Sequence, residues 1–355
     1  MKKLRIGCIG TLHDHSAVTV QSLKELDEYF EVVGYVCESD SRYEEIKNDT
    51  AYKGLKRMTE KELLNSNLDA AVIEGFEKEQ VHYAKLCVDK GIHVQIDKPA
   101  GDNIEEFKEL LTEAKKKNLI VHMGYMYRYN PAVIKAKEII KSGKLGEIYS
   151  IEAQMSCEHN LKKREWMGNF KGGMMFYLGC HLVDLIYSIQ GLPEEIIPLN
   201  KAIANNINAE DFGMAVFNYK KGVSFCKTTS KEAGGFLRRQ LVICGTKGTI
   251  EINPIERFVE SKTGNMLDCD MRVTIGADIE HSWGRHGEKQ TLEPFDRYKN
   301  MLVEFYKCVV GEIKNPYTFE YELRMQMLVL KACGFDIDYK QKIELYKGTN
   351  YGSKI

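Results

Sequence analysis

The first third of the chain alternates short apolar runs with Lys/Glu-rich stretches whose apolar residues recur about every third position. Leu4 to Ile9 reads as a buried strand, and Ser16 to Tyr29 carries Ala17, Val20, Leu23 and Leu26 at the spacing of an amphipathic helix. Strand character returns at Glu31 to Cys37, Leu68 to Ile73, Ile92 to Ile96 and Leu119 to Met123, with charged helical patterns between them. The pattern predicts about six strands over residues 1–125, alternating with helices, which is how βαβ units and a parallel sheet are written in sequence. An α/β, doubly wound sheet of nucleotide-binding size is expected.

Past Pro131 the periodicity changes. A helix over Ala132 to Ser142 stops at Gly143, and LGEIYSIEAQMS then opens strands of period two. Further strands are predicted at Met214 to Asn218, Val223 to Thr228, Gln240 to Cys244 and Thr249 to Ile252, spaced like an antiparallel meander, and closing helices at Arg297 to Val310 and Phe319 to Cys333. The expected second domain, residues 126–355, is α+β: a largely antiparallel open sheet with helices on one face.

Length and composition agree with this division. At roughly 150 residues per domain, 355 residues make about two domains, and 43% hydrophobic with 28% charged residues is an ordinary globular composition. Fifty Lys+Arg against 51 Asp+Glu leave a net charge of -1, so no global field recruits nucleic acid or an anionic membrane. Partners are expected to be small molecules. Ten cysteines without a C-x-x-C pair or a preceding secretory segment read as reduced and cytoplasmic. No run reaches the ~18 apolar residues of a membrane span.

The turn after the first strand decides how a dinucleotide is held, because its glycines let backbone amides approach the pyrophosphate at a helix N-terminus. One glycine of the G-x-G-x-x-G fingerprint survives in each frame: Gly10, Leu12 and His15 in one, Gly7, Ile9 and Leu12 in the other. Glu38 follows the second strand, where a carboxylate accepts from an adenosine ribose and repels a 2′-phosphate, favouring NAD over NADP. His15 has several readings in the loop Thr11 to Ser16. It can cap the first helix, with Ser16 at the N-cap, or bond a phosphate in place of the lost glycine amide. His13, Asp14 and His15 are also zinc or manganese ligand types, as are Glu158, His159, Glu280, His281 and His286. Nothing in the sequence brings those segments together, and no metal is assigned.

Four later segments occur in order: Asp97-Lys98-Pro99, Tyr127-Arg128-Tyr129-Asn130-Pro131, the run from Gly172-Gly173 through Tyr177 and His181 to Asp184, and Gly245-Thr246-Lys247-Gly248-Thr249. Together they resemble the glucose–fructose oxidoreductase, inositol dehydrogenase and rhizopine-catabolism (Gfo/Idh/MocA) family over nearly the whole chain. The resemblance implies a Rossmann-type first domain. It also implies NAD(P)-dependent hydride transfer between a nicotinamide cofactor and a sugar, cyclitol or related polyol, in a protein that forms dimers or tetramers. Carried onto this sequence, it places Gly7, Gly10, Thr11, Leu12, His15, Glu38, Gly75, Lys98, Pro99 and Arg128 along the cofactor. Lys98, Tyr177, His181 and Asp184 become the catalytic group, with His181 as acid/base and substrate near Lys98, Arg128, Tyr177 and His181 between the domains. An imidazole suits removal of a hydroxyl proton near neutral pH, and an ammonium steadies the developing alkoxide.

Three departures matter. Tyr177 stands where the family has Asp, Gly75-Phe76-Glu77 replaces T-P-N, and the loop Thr11 to Ser16 is altered. Trp166, Trp283, Tyr125, Tyr127 and Tyr129 are either core or a sugar-stacking surface. Two further readings stay open: a catalytically silent dinucleotide- or sugar-binding relative, and a lyase-like or glycoside-cleaving enzyme with tightly held NAD.

Overall fold

The computed structural model describes residues 2–203, 207–260, 266–276 and 287–345. Glu280, His281, Trp283 and His286 lie outside the described residues. In chain order the first elements are β1 (Leu4–Ile9), α1 (Ser16–Glu25), β2 (Phe30–Val36), α2 (Asp40–Ile46), α3 (Glu60–Leu64), β3 (Ala70–Ile73), α4 (Gln80–Asp89), β4 (His93–Ile96), α5 (Ile104–Lys117) and β5 (Val121–Met123). Then come α6 (Pro131–Lys141), β6 (Ile148–Ser156), α7 (Leu161–Trp166), α8 (Cys180–Gln190), β7 (Glu195–Pro198), β8 (Phe212–Tyr219), β9 (Gly222–Thr229), β10 (Gln240–Gly245) and β11 (Gly248–Ile252). The chain continues with β12 (Arg257–Phe258), β13 (Met266–Asp268), β14 (Asp270–Ile275), β15 (Lys289–Thr291), β16 (Phe295–Asp296), α9 (Lys299–Val309) and α10 (Phe319–Ala332).

Two compact units result. One holds the residues up to Gly124, Tyr298–Gln326 and those from Lys340; the other holds Tyr125–Arg297 and Met327–Tyr339. In the first, a parallel sheet of order β2-β1-β3-β4-β5 has five strands, where the pattern predicted about six. Its central strand β3, Ala-Ala-Val-Ile, is buried throughout, as a strand covered on both faces must be. Helix α9, expected with the second domain, belongs here for a packing reason. Its Leu302, Phe305 and Tyr306, three and four residues apart, join the core of Leu4, Ile6, Phe30 and Ala70.

The second unit is built on an eight-stranded sheet of order β15-β14-β11-β10-β6-β9-β8-β7. It is not a simple meander. Strand β6 sits between β10 and β9 and runs parallel to β9, while the other pairs are antiparallel. Along β8, Gly213, Ala215 and Phe217 are buried and their neighbours half-buried, the period-two signature of a sheet with one covered face. Helix α6 starts where Tyr129-Asn130-Pro131 dictates: Pro131 takes the first helical position, and Asn130 Oδ1 accepts from the amides of Ala132 (2.9 Å) and Val133 (3.3 Å). All ten cysteines are free thiols. Among the described residues no helix is long and apolar enough to cross a membrane.

Candidate active site and the histidine–carboxylate cluster

In the first unit the chemistry gathers at the C-terminal ends of β1, β2, β3 and β4. Gly10 turns the chain with φ +90°, and a Cβ there would overlap the Cα of Gly75, so the ends of β1 and β3 meet backbone to backbone. Gly7 lies earlier, inside β1, against the side chains of Leu63 and Leu68. The loop then turns its amides inward. Thr11 N and Leu12 N donate to Glu38 Oε1 at 2.7 and 3.2 Å, and Thr11 Oγ1 donates to Glu38 Oε2 at 2.6 Å. Arg42 donates to Thr11 O and Thr11 Oγ1 from one edge of its guanidinium and to Glu45 from the other. His13 N donates to Glu74 O.

Neither capping role expected at the start of α1 is realised. His15 occupies the N-cap position without a side-chain capping bond, and its Nδ1 lies 2.8 Å from Asp97 Oδ2 instead. Ser16 is the first helical residue and bonds Gly10 O and Tyr52 Oη. The reason is reach: a carboxylate at the end of β4 is a stronger partner for the imidazole than the amides of its own helix. His13 joins the same carboxylate, its Nδ1 3.0 Å from Asp97 Oδ2, and the two imidazoles meet edge to face at 4.6 Å between centroids. Glu74 Oε2 and Glu77 Oε1 stand 3.6 and 3.8 Å from His13.

Burial sets the charge states here. It pushes His15 down to about 4, outweighing the attraction of Asp97, so His15 is neutral at neutral pH. Burial works the other way on the acids. It drives Glu74 well above the usual carboxylate range, with the charge of Asp97 adding to the effect. It would raise Asp97 too, but His13 and His15 hold that carboxyl well below its usual range. Lys98 follows, buried, its amide donating to Asp97 Oδ1 at 2.6 Å, and the Lys98–Pro99 peptide is cis.

In the second unit the glycine pair of the helical motif is explained by crowding: a Cβ on Gly173, at φ +43°, would overlap Glu210 O. The chain then makes a π-helical turn over Met175–Gly179 before α8 begins. Tyr177, His181 and Asp184 meet different neighbours. The Tyr177 ring faces Trp166 and His159, with the Lys163 ammonium over both Trp166 (3.7 Å) and Tyr177 (4.6 Å). His181 is buried edge-on to the rings of Tyr127 (4.9 Å) and Tyr125 (5.9 Å). Asp184 is buried against Arg128, whose Nε reaches both carboxylate oxygens at 3.0 Å and whose Nη2 reaches Oδ1 at 2.7 Å. So the structure pairs two residues that the sequence assigned to separate roles.

Other charged residues here have no motif to announce them. Glu256 accepts from Tyr127 and Arg239 at 2.5 Å each and pairs with Arg297 at 2.7 Å. Burial opposes ionisation of Glu256, but Arg297 and Arg239 hold it below its ordinary range. Asp97 and Glu74 as partners of the loop histidines also escaped sequence reading, because only the strand order β1-β3-β4 brings them together.

A parallel sheet with a carboxylate after β2 and a Lys-Pro turn after β4 shares the chain with an open mixed sheet and a buried helical histidine, the arrangement of a two-unit α/β protein with a Rossmann-type nucleotide-binding fold. The comparisons give the family. Residues 4–125 match the oxidoreductase family with NAD-binding Rossmann fold, and residues 133–251 the GFO/IDH/MocA C-terminal domain, together more than half of the chain. The chain belongs to the Gfo/Idh/MocA family. An uncharacterized oxidoreductase of Schizosaccharomyces pombe is 31% identical over 202 residues, 55% of this chain and 54% of its own. The trans-1,2-dihydrobenzene-1,2-diol dehydrogenase of Bos taurus is 26% identical over 171 residues, 47% of this chain and 49% of its own. The matched region thus spans about half the length of these curated relatives. Among solved structures, the WlbA dehydrogenase from Bordetella pertussis, in complex with NADH and UDP-GlcNAcA, has a TM-score of 0.72 at 16% identity, covering 95% of this chain and 98% of its own. The UDP-N-acetylglucosamine 3-dehydrogenase GnnA from Acidithiobacillus ferrooxidans has a TM-score of 0.73 at 17% identity, covering 94% and 98%.

Proposed function

We propose that the protein is an NAD(H)-dependent dehydrogenase of a sugar, cyclitol or related polyol. The observation that carries the cofactor choice is Glu38, a carboxylate beside the Gly10–Gly75 contact at the end of β2, with the adjacent cation Arg42 committed to Thr11 and Glu45. Such a position accepts hydroxyls of a ribose and repels a 2′-phosphate. The crevice between the ends of β1 and β2 fits a dinucleotide in this sense: Glu38 presents a carboxylate there that would hold the adenosine ribose. Because Glu38 already accepts from the Thr11 and Leu12 amides, binding of ribose hydroxyls exchanges one donor for another and gains less than filling a vacant acceptor.

A bound nicotinamide supplies the hydride acceptor. For the protein's part, the Lys98 ammonium stabilises a developing alkoxide, and the His181 imidazole takes the hydroxyl proton. Tyr127 and Tyr125, ring edge to ring face, orient that imidazole. Asp184 and Arg128 act on each other and position α8 and the turn before α6, while Gly7 serves packing inside β1. The names of the bovine diol dehydrogenase and of the two UDP-sugar-related structures support the substrate class.

The test is a panel of polyols, cyclitols and UDP-sugars assayed with NAD and NADP. Lys98→Met and His181→Ala are each expected to lower kcat by ~10²–10⁴ while preserving the circular dichroism spectrum. Nicotinamide binding without turnover of any panel member would replace this reading with that of a silent relative.

A further inference from the structure

We propose that His13, His15 and Asp97 hold a divalent transition-metal ion of the zinc class. The three residues come from the loop after β1 and the end of β4, next to the proposed cofactor crevice, and uptake of an ion is read without dinucleotide or polyol, so its failure is distinguishable from failure of the dehydrogenase reading. The three side chains place one ligand atom each within 4.8 Å of the others, with His15 Nδ1 at 2.8 Å and His13 Nδ1 at 3.0 Å from the same Asp97 oxygen. A tetrahedral ion with bonds of ~2.0–2.1 Å spaces its ligand atoms about 3.3 Å apart, so the two nitrogen–oxygen pairs need to separate by only a few tenths of an ångström, while the two nitrogens lie within 4.8 Å of each other. Two nitrogens and one carboxylate oxygen suit zinc, cobalt, iron or manganese.

The hydrogen bonding around His13 points to a cation. The His15 amide donates to His13 Nδ1 at 3.2 Å, which makes Nδ1 the nitrogen with the lone pair. That same nitrogen faces Asp97 Oδ2, so two acceptors confront each other at 3.0 Å. One Nδ1 cannot both accept from the amide and donate to the carboxylate; an ion between the two acceptors removes the conflict. The N–H of this tautomer is at Nε2, a fully buried atom without a hydrogen-bond partner, 3.8 Å from Glu77 Oε1. A ligating histidine whose second nitrogen faces a carboxylate is the usual outer shell of a metal site. Glu74 Oε2, likewise buried without a hydrogen-bond partner, lies 3.6 Å from Nδ1 and offers a further oxygen. His13 and Asp97 are nearly inaccessible, but the His15 side chain retains 18% of its surface, which gives an entry path and an open coordination position for water or a hydroxyl oxygen. An ion there would acidify that water or hydroxyl.

The experiment takes the full-length protein, stripped with a chelator and dialysed, and titrates it first with Co²⁺ and then with Zn²⁺. One Co²⁺ per chain with the visible bands of a low-coordinate site, displaced by Zn²⁺, is expected. His15→Ala and Asp97→Asn should abolish stoichiometric uptake, and Glu77→Gln should weaken it about 10–100-fold. As a measurement on the unaltered chain, Zn²⁺ should protect His15 from acylation by diethyl pyrocarbonate, read by peptide mass spectrometry. Substoichiometric uptake of both ions by the folded wild-type chain, uptake unchanged in His15→Ala, or His15 acylation indifferent to Zn²⁺ would each overturn the proposal.

Discussion

Removing the Asp184 carboxylate separates a structural from a catalytic role for the helical motif. Its side chain and that of Arg128 are each 1% exposed and share a bidentate contact at 2.7–3.0 Å. Deleting one partner leaves a guanidinium charged in a dry site, at a cost of about 3–5 kcal/mol. Lys137 sharpens the asymmetry: burial lowers its pKa while Asp184 works to restore it, so the carboxylate answers two cations. Asp184→Ala removes the carboxylate that acts on both cations, whereas Arg128→Met leaves its influence on Lys137 in place, so the first change should cost more. At about 2–4 °C per kcal/mol for a unit of this size, Asp184→Ala should lower Tm by roughly 6–20 °C. The pair Arg128→Met with Asp184→Leu should recover most of the loss, because neither charge remains to be solvated. Thermal and urea unfolding followed by circular dichroism provide the assay. A Tm for Asp184→Ala within about 2 °C of wild type, coupled to a collapse of kcat, would refute the structural assignment and return Asp184 to the catalytic group.

The folded-state pKa of Glu256 lies below its unfolded value, so its contribution is complete above the unfolded pKa of about 4.3 and is lost as pH falls through the folded value. Glu256→Gln should therefore be less stable at pH 7, by about 3–5 kcal/mol, and lose less stability on acidification below pH ~4.3; parallel urea titrations at several pH values read both effects. Gly10→Ala adds backbone overlap with Gly75 to a left-handed φ, whereas Gly91→Ala at φ +79° meets nothing within 4 Å. Both pay about 1–2 kcal/mol for the conformation, and only the first should fall further in thermal melts.

The strands of the first unit were legible because burial on both faces leaves continuous apolar runs, and Leu4–Ile9 coincides with its apolar run. The period-two pattern located β8 and β9 but could not reveal that β6 inserts beside β9, since strand order is settled by contacts between residues 73 apart. Helix α9 was visible as an amphipathic stretch, while its allegiance depended on which sheet offered an uncovered apolar face. The site divides the same way. Lys98, Arg128, His181 and Asp184 lie in recognisable motifs, but the Arg128–Asp184 pairing crosses 56 residues. The His15–Asp97 contact spans 82, and the Glu38 grip on the loop replaces a glycine pattern whose loss was all the sequence recorded.

The proposed dehydrogenase activity requires a nicotinamide dinucleotide in the β1–β2 crevice. Calorimetric titration of the purified protein with NAD, NADH, NADP and NADPH tests it most directly. One NAD or NADH per chain is expected, with weaker binding of the 2′-phosphorylated forms and at least roughly tenfold erosion of that preference in Glu38→Ala, since bonds to a charged group are worth about 1.5–3 kcal/mol. Binding of none of the four dinucleotides to the folded protein would contradict it.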